Sequence, residues 1–235
     1  MVPVENVVVF AAAVPASVAK VLVCVGINDT SAAEYLGQLR AATAGDARVV
    51  IQHVQPWGRF VHALNVGVGY AKLHSHDVLQ FMSLETRLSE EALATILSRL
   101  GPDVLVAGAA LPGHAYEPNT GGPLPITGRT CPWNTAAAWD VAKLGHTGFP
   151  LVGDGDAPAG LAGGVEEVSA ISLRQLVDPL GCKAVLCRVP GMQWDTTFND
   201  PQRREWHERK MASKDERPRM QMEGMGLSPG HVWHV

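Results

Sequence analysis

The sequence predicts an α/β fold with a mostly parallel central sheet covered on both faces. Short β-branched apolar runs alternate along the chain with segments of helical period, the order that builds parallel strands joined by crossover helices. The runs are continuously apolar rather than alternating, as strands buried on both faces are. Twenty-four Gly and sixteen Pro imply many turns and long loops and argue against a helical bundle.

The elements follow in order. "KVLVCVGI" (20–27) reads as a strand ended by the turn residues Asn28 and Asp29. Residues 30–43 place Ala32, Tyr35, Leu36 and Leu39 at helical spacing. "ARVVIQHV" (47–54) is a second strand, 60–74 a Gly-tolerant helix, "DVLQFM" (77–82) a strand, 89–100 a helix and "DVLVAGAAL" (103–111) a strand. A Pro- and Gly-rich segment (112–133) then forms a long loop, a feature that usually binds something or is disordered. "NTAAAWDVAKLG" (134–145) reads as a helix closed by Gly145. A Gly-rich stretch (153–164) leads to a helix over 165–181 and a last strand, "CKAVLCRVP" (182–190). Asp200 followed by Pro201 is a strong helix start. The Met- and charge-rich tail from about 215 is expected to pack weakly.

At 235 residues, 18% of them charged, the chain suits one substantial domain with a large core. A formal charge of −4 gives no general attraction to nucleic acid. Cys24, Cys131, Cys182 and Cys187 show no CxxC spacing and read as free thiols of a reducing compartment. The apolar N-terminal stretch is broken by Pro15 and Lys20 and lacks a basic leader region, so it predicts neither a transmembrane span nor a secretory signal. A cytoplasmic protein is expected, with peripheral membrane contact left open. His74 and His76 lack a third ligand for a metal site, and "GDGD" (153–156) sits in a loop with no strand end before it. Arg203, Arg204, Arg209 and Lys210 alternate with Glu205 and Glu208, which reads as a solvated helix face.

In open α/β sheets the ligand crevice lies at the carboxyl ends of the strands, here Asn28-Asp29, Gln55-Pro56 and Ser83-Leu84-Glu85. From there the order of motifs resembles the family 2 glycosyltransferases, which have the GT-A, nucleotide-diphospho-sugar transferase fold, a three-layer α/β/α arrangement. "VLVCVGINDT" is similar to their first strand and turn, "ALNVGVGYA" to their Asn-x-Gly-x-x-x-Ala helix, and "VLQFMSLETRLSEEAL" to their strand, Asp-x-Asp and helix. "CPWNTAAAWDVAKLGHTGFP" resembles their Asn-x-Ala helix and Gly-Phe. "GGVEEVSAISLRQLVDPLGCKAVLCRVP" resembles their Glu-Asp helix and last strand, and "QRREW" (202–206) their Gln-x-x-Arg-Trp box with Glu205 in place of Arg. The likeness spans roughly 20–210. It implies a single GT-A-like domain over 1–235, with a nucleotide-sugar half (20–111), an acceptor half (112–200) and a C-terminal helix and tail (201–235).

The resemblance implies a sugar transfer, with inversion, from a UDP- or GDP-sugar to an unidentified acceptor. Its catalytic acids would be Glu166 and Glu167, with Glu167 as the base. Donor contacts would fall on Asn28, Asp29, Asn65, Gly67, Ser83 and Glu85, and acceptor contacts on Trp133, Asn134, Gln202 and Trp206. The second strand lacks the usual base-contacting acid, ending His53-Val54-Gln55. Asp-x-Asp is replaced by Ser83-Leu84-Glu85, so Glu85 is the one anionic metal ligand where Mn²⁺ or Mg²⁺ prefers hard carboxylate oxygen. The divalent cation is thereby put in doubt, and a catalytically silent GT-A domain binding a nucleotide sugar, glycan or protein stays open beside the enzyme. Plainer roles are also open: helix-dipole acids at 166–167, turn chemistry at 28–29, packing at Asn65, Gly67 and Trp133, and helix anchoring by Trp206.

Overall fold

Runs of Val, Leu and Ile that cannot present one polar face need cover on both sides, and in the computed structural model most of them become strands of a covered sheet. The structure describes residues 2–26, 30–55, 57–118, 121–155, 160–198 and 200–235, with Thr30 and Ser31 described in backbone only. Asn28 and Asp29 lie outside the described residues. The chain begins with helix α1 (Val4–Ala13), strand β1 (Val21–Gly26), α2 (Thr30–Thr43), β2 (Val49–Val54), α3 (Phe60–Leu73) and β3 (Val78–Met82). A two-residue strand β4 (Thr86–Arg87) precedes α4 (Glu90–Leu97), whose start is capped by Ser89 Oγ accepting from Ala92 N–H at 3.1 Å. Then come β5 (Val104–Ala109), β6 (Leu124–Pro125), β7 (Ala136–Asp140), α5 (Val141–Leu144) and a single 3-10 turn (Leu151–Asp154). The last elements are α6 (Glu166–Val177), β8 (Lys183–Cys187), β9 (Gln193–Trp194), α7 (Pro201–Ala212), α8 (Glu216–Met225) and β10 (His231–His234).

The main sheet is mixed, in the order β3-β7-β5-β8-β10-β6. β5–β8 and β8–β10 pair in parallel, while β3–β7, β7–β5 and β10–β6 are antiparallel. The expected mostly parallel sheet survives only in direction: β3, β5, β8 and β10 point one way, while β7, between β3 and β5, and β6, at the far edge, run against them. β1 and β2 pair in parallel with each other but form their own two-stranded unit beside it. A largely apolar cleft of about 500 Å³ separates that unit from β3, lined by Leu22, Gly67, Leu79, Phe81 and Met82 among others.

Two segments differ from their sequence expectation. Residues 134–145, expected as one helix, are mainly the strand β7 with only a short α5 after it. Ala136, Ala137 and Ala138 favour a helix in isolation, but β7 has a full ladder available on each side, from β3 and from β5. Small side chains are what this position requires: a Cβ on the neighbouring Gly108 would lie 2.7 Å from Pro132 and 3.3 Å from Ala137. The tail from 215 does not pack weakly. α8 buries Met222 and Gln221, the latter donating through Nε2 to Ala162 O and Gly164 O, and β10 inserts between β8 and β6 with Val232 fully buried.

The four cysteines are free; Cys131, Cys182 and Cys187 are buried and Cys24 half-buried. Burial pushes all four thiols up from their ordinary value, which makes them poor nucleophiles. Among the described residues no helix is long and apolar enough to cross a membrane.

Because β10 is part of the core sheet, Val232→Ala is expected to cost about 1–3 kcal/mol, a few degrees in Tm. Val235→Ala, at the exposed chain end, should stay within about 0.5 kcal/mol. Thermal melts showing equally small losses for both would return the tail to a loose appendage.

Candidate active site

The shared direction of β3, β5 and β8 brings their carboxyl ends to one edge of the sheet, and the reversed β7 starts at that same edge. Ser83, just past β3, donates its backbone N–H to Thr135 O at 3.1 Å, and Thr86 Oγ1 donates back to Ser83 O at 2.7 Å. The next residue along, Asn134, donates its backbone N–H to Glu167 Oε1 at 2.6 Å. Ser83 and Glu167, distant in sequence, are thus joined through residues 134–135. Asn134 Oδ1 accepts from Trp139 Nε1 at 2.9 Å, which fixes the orientation of the amide. Its Nδ2 and the Ser83 Oγ are both buried without a hydrogen-bond partner.

Glu166 and Glu167 open α6. Val165 before them holds φ 62°, ψ 45°, a left-handed conformation unusual for a β-branched residue. The chain thereby turns both acids inward, and they are only 6% and 5% exposed. Burial, then the charge of Glu167, pushes the Glu166 carboxyl up to about 8. The Asn134 amide and Lys210 favour its ionised form less strongly, and Asn134 Nδ2 reaches no hydrogen bond of good geometry. At neutral pH Glu166 therefore keeps its proton beside Glu167, an arrangement that acid–base chemistry uses.

The junction of α7 and α8 covers this pair. Lys214 Nζ lies 3.4 Å from the Trp133 ring centroid, and His114 stacks on the same ring at 3.5 Å and 24°. Two groups so near the centroid cannot share a face, so Trp133 is enclosed between them and is 2% exposed. In this conformation it offers a sugar no open face. Burial lowers Lys214 to about 8, against the attraction of Glu167, and lowers His114 to about 3. Leu111 N–H donates to His114 Nδ1, which puts the ring proton on Nε2, facing Cys131 O at 3.0 Å. Arg217 donates to Gly163 O and Lys210 O at 2.7 and 2.9 Å, and its charge also faces Glu166 and Glu167.

Glu85 sits at the other end of α7. Its Oε1 is 2.9 Å from Arg203 Nη2, and its backbone O accepts from Asp195 N–H beside the β4–β9 pair. α7 carries the chain roughly 14 Å from Arg203 to Ala212 and the turn after it reaches Lys214, so Glu85 and Glu167 lie under one segment at one edge of the sheet. No group of three or more His, Cys, Asp or Glu side chains placed to hold a metal occurs among the described residues.

The remaining expected residues fall elsewhere. Asn65 spends both ends of its amide on Phe149, donating to its O at 3.0 Å and accepting from its N–H at 2.8 Å, which ties α3 to the loop after α5. Gly67 packs on Leu79 and Phe81 beside the cleft. Asp154 of "GDGD" caps α3 by accepting from Val61 N–H. Gln202 and Trp206 are exposed on α7, which buries none of its residues, so Trp206 does not anchor that helix. Lys214, Arg217 and His114 were not signalled as site residues by any motif. Arg203 and Lys210 belong to a charge run whose alternating signs read as solvent-facing.

The raised Glu166 gives a pH signature. Folded, it keeps its proton up to about 8; unfolded, it ionises near 4.5, so its stabilising share is complete below pH 4.5 and is lost as pH rises through 8. Glu166→Gln should gain on the wild type across that window, by up to about 1.4 kcal/mol per pH unit. Denaturant titrations in which the two proteins run parallel from pH 4.5 to 8 would show that Glu166 is not protonated in the fold.

The chain matches no family model, and no curated protein or solved structure compared with it gives a significant match; its site is characterised by its own geometry.

Proposed function

We propose that the protein is a glycosyltransferase of GT-A type, moving a sugar from a nucleoside-diphosphate donor to an acceptor hydroxyl with inversion. The observation that carries this is the buried Glu166–Glu167 pair at the carboxyl edge of the sheet, joined through Asn134 and Thr135 to the turn after β3. The order of motifs along the chain supports the same fold. Glu167 is the base: Asn134 N–H holds Oε1, and Oε2 takes the acceptor proton. The acceptor oxygen then attacks the anomeric carbon from the face opposite the diphosphate, whose bond to that carbon breaks with its electron pair. Glu166, protonated at neutral pH, keeps a second negative charge out of the pair and so leaves Glu167 free to act alone.

Mn²⁺ or Mg²⁺, which the resemblance implies, does not fit the residues at the turn after β3. A hard divalent cation takes one or two free carboxylates plus phosphate oxygens, and here the single acid, Glu85, is already paired with Arg203. No step is assigned to a metal. A second reading, a silent domain that binds without turnover, is favoured by the same ion pair and by the closure of Lys214 over Trp133.

A donor screen separates them. With UDP- and GDP-sugars, with and without Mn²⁺, nucleotide release is expected from the wild type, to fall by about 10²–10⁴-fold in Glu167→Gln and to persist in Arg209→Ala, an exposed residue paired with Glu205. Nucleotide binding without release across donors and acceptors would leave the silent domain.

A further inference from the structure

We infer that one face of α7 and the turn after it, made by Arg203, His207, Lys210 and Lys214, is the diphosphate-binding surface of this site and takes the place of a metal ion. The inference rests on the glycosyltransferase reading for its substrate and on geometry for its residues. At about 100° per residue Arg203, His207 and Lys210, spaced by four and three, fall within about 60° of one another, with Glu205 and Glu208 on the other side of the helix, and Lys214 follows in the turn after it. Their proximity is felt: after burial, the charges of Lys210, Lys214 and Arg203 each hold His207 below its ordinary value. The stripe runs along the site from end to end. Arg203 meets Glu85, His207 packs on Trp194 and Phe198, Lys210 faces Glu166, and Lys214 lies on Trp133 facing Glu167.

Helix packing does not account for Arg203 and Lys210, since α7 buries none of its residues, whereas Lys214, in the turn after it, is buried on Trp133. Nor do local carboxylates balance the cations. Arg203, Lys210, Lys214 and Arg217 bring four cationic side chains, facing the carboxylate of Glu85 and a Glu166–Glu167 pair in which burial keeps the proton on Glu166, while Glu208 reaches His207 from the far side of the helix. The excess of cations over carboxylates suits the negative charge of a nucleotide-sugar diphosphate. A second observation points to a ligand beneath the stripe. The buried, unpartnered Ser83 Oγ stands near its Glu85 end, and the unpartnered Nδ2 of Asn134, a residue 8% exposed, near its Glu167 end. Both are donors, and phosphate oxygens accept. Arg203 would exchange its Glu85 carboxylate for a phosphate, where the planar guanidinium bonds in bidentate fashion.

Calorimetry with inorganic pyrophosphate tests this on the full chain. Binding is expected in excess EDTA, weakened about tenfold by Arg203→Ala or by Lys210→Ala, and less than about twofold by Arg209→Ala on the helix's far side, with unchanged circular dichroism in all three. Binding that needs added Mn²⁺ overturns the inference, as does binding that Arg203→Ala leaves intact or that Arg209→Ala weakens equally. The two proposals fail separately. Metal-free pyrophosphate binding without turnover of any donor sinks the glycosyltransferase and keeps the stripe, whereas Mn²⁺-dependent release with Mn²⁺-dependent pyrophosphate binding does the reverse.

Discussion

Two carboxylates buried side by side cannot both be ionised without large electrostatic cost, and the C-terminal half of this protein is arranged around that constraint. Glu166 yields by keeping its proton. Glu167 accepts a backbone N–H at 2.6 Å and faces Lys214 and Arg217. The covering segment must come very close, and glycines make room for it. A Cβ on Gly128 would lie 1.8 Å from Lys214 O, and one on Gly164, at φ +103°, 2.0 Å from Arg217 Nη1. The left-handed Val165 completes the turn that brings the acids inward. Strain, close approach and charge pairing thus meet at one place, which is how functional sites are commonly built.

Most of the fold was legible in the sequence because its elements are locally consistent. Continuous Val/Leu/Ile runs became β1, β2, β3, β5 and β8, and the Ser89 and Asp200 caps began α4 and α7 as their chemistry requires. The failures have tertiary causes. Ala136–Ala138 were read by intrinsic propensity, but two open strand edges outweigh a few tenths of a kcal/mol per residue. Turning that segment into a strand also changed the sheet from mostly parallel to mixed. His231–His234 is too short and polar for a convincing strand signal, and only the free edge of β8 makes it one.

The candidate site was half legible. The acids at 166–167 and the turn at 83–85 were found by order along the chain, and both come to one edge of the sheet. Asn134 was expected to meet an acceptor; its backbone instead holds Glu167, while its amide keeps an unused donor. Asn65 was expected at the donor and is committed to Phe149. The covering cations were invisible for a different reason. A stripe spaced by four, three and four residues contributes only every third or fourth letter, and Glu205 and Glu208, which face away from it, dilute the run into apparent alternation. Angular position on the helix, not composition, separates the two sets.

In the proposed site, Ser83 and the cations of α7 complement each other. With acids at both 83 and 85, the end of the site facing Arg203 would hold more negative charge than that guanidinium balances, and the proposed diphosphate grip would be weaker. With Ser83, the single carboxylate of Glu85 is enough to keep Arg203 in place when nothing is bound, and too little to cancel the stripe. An exposed pair of this kind contributes little to stability, so exchanging Glu85 for a phosphate costs the fold little. A metal ion can be lost from a site of limited affinity; a guanidinium on a helix cannot. A phosphate grip of the proposed kind, made from side chains, would stay available whatever the metal supply, at the expense of the sharper geometry a cation imposes.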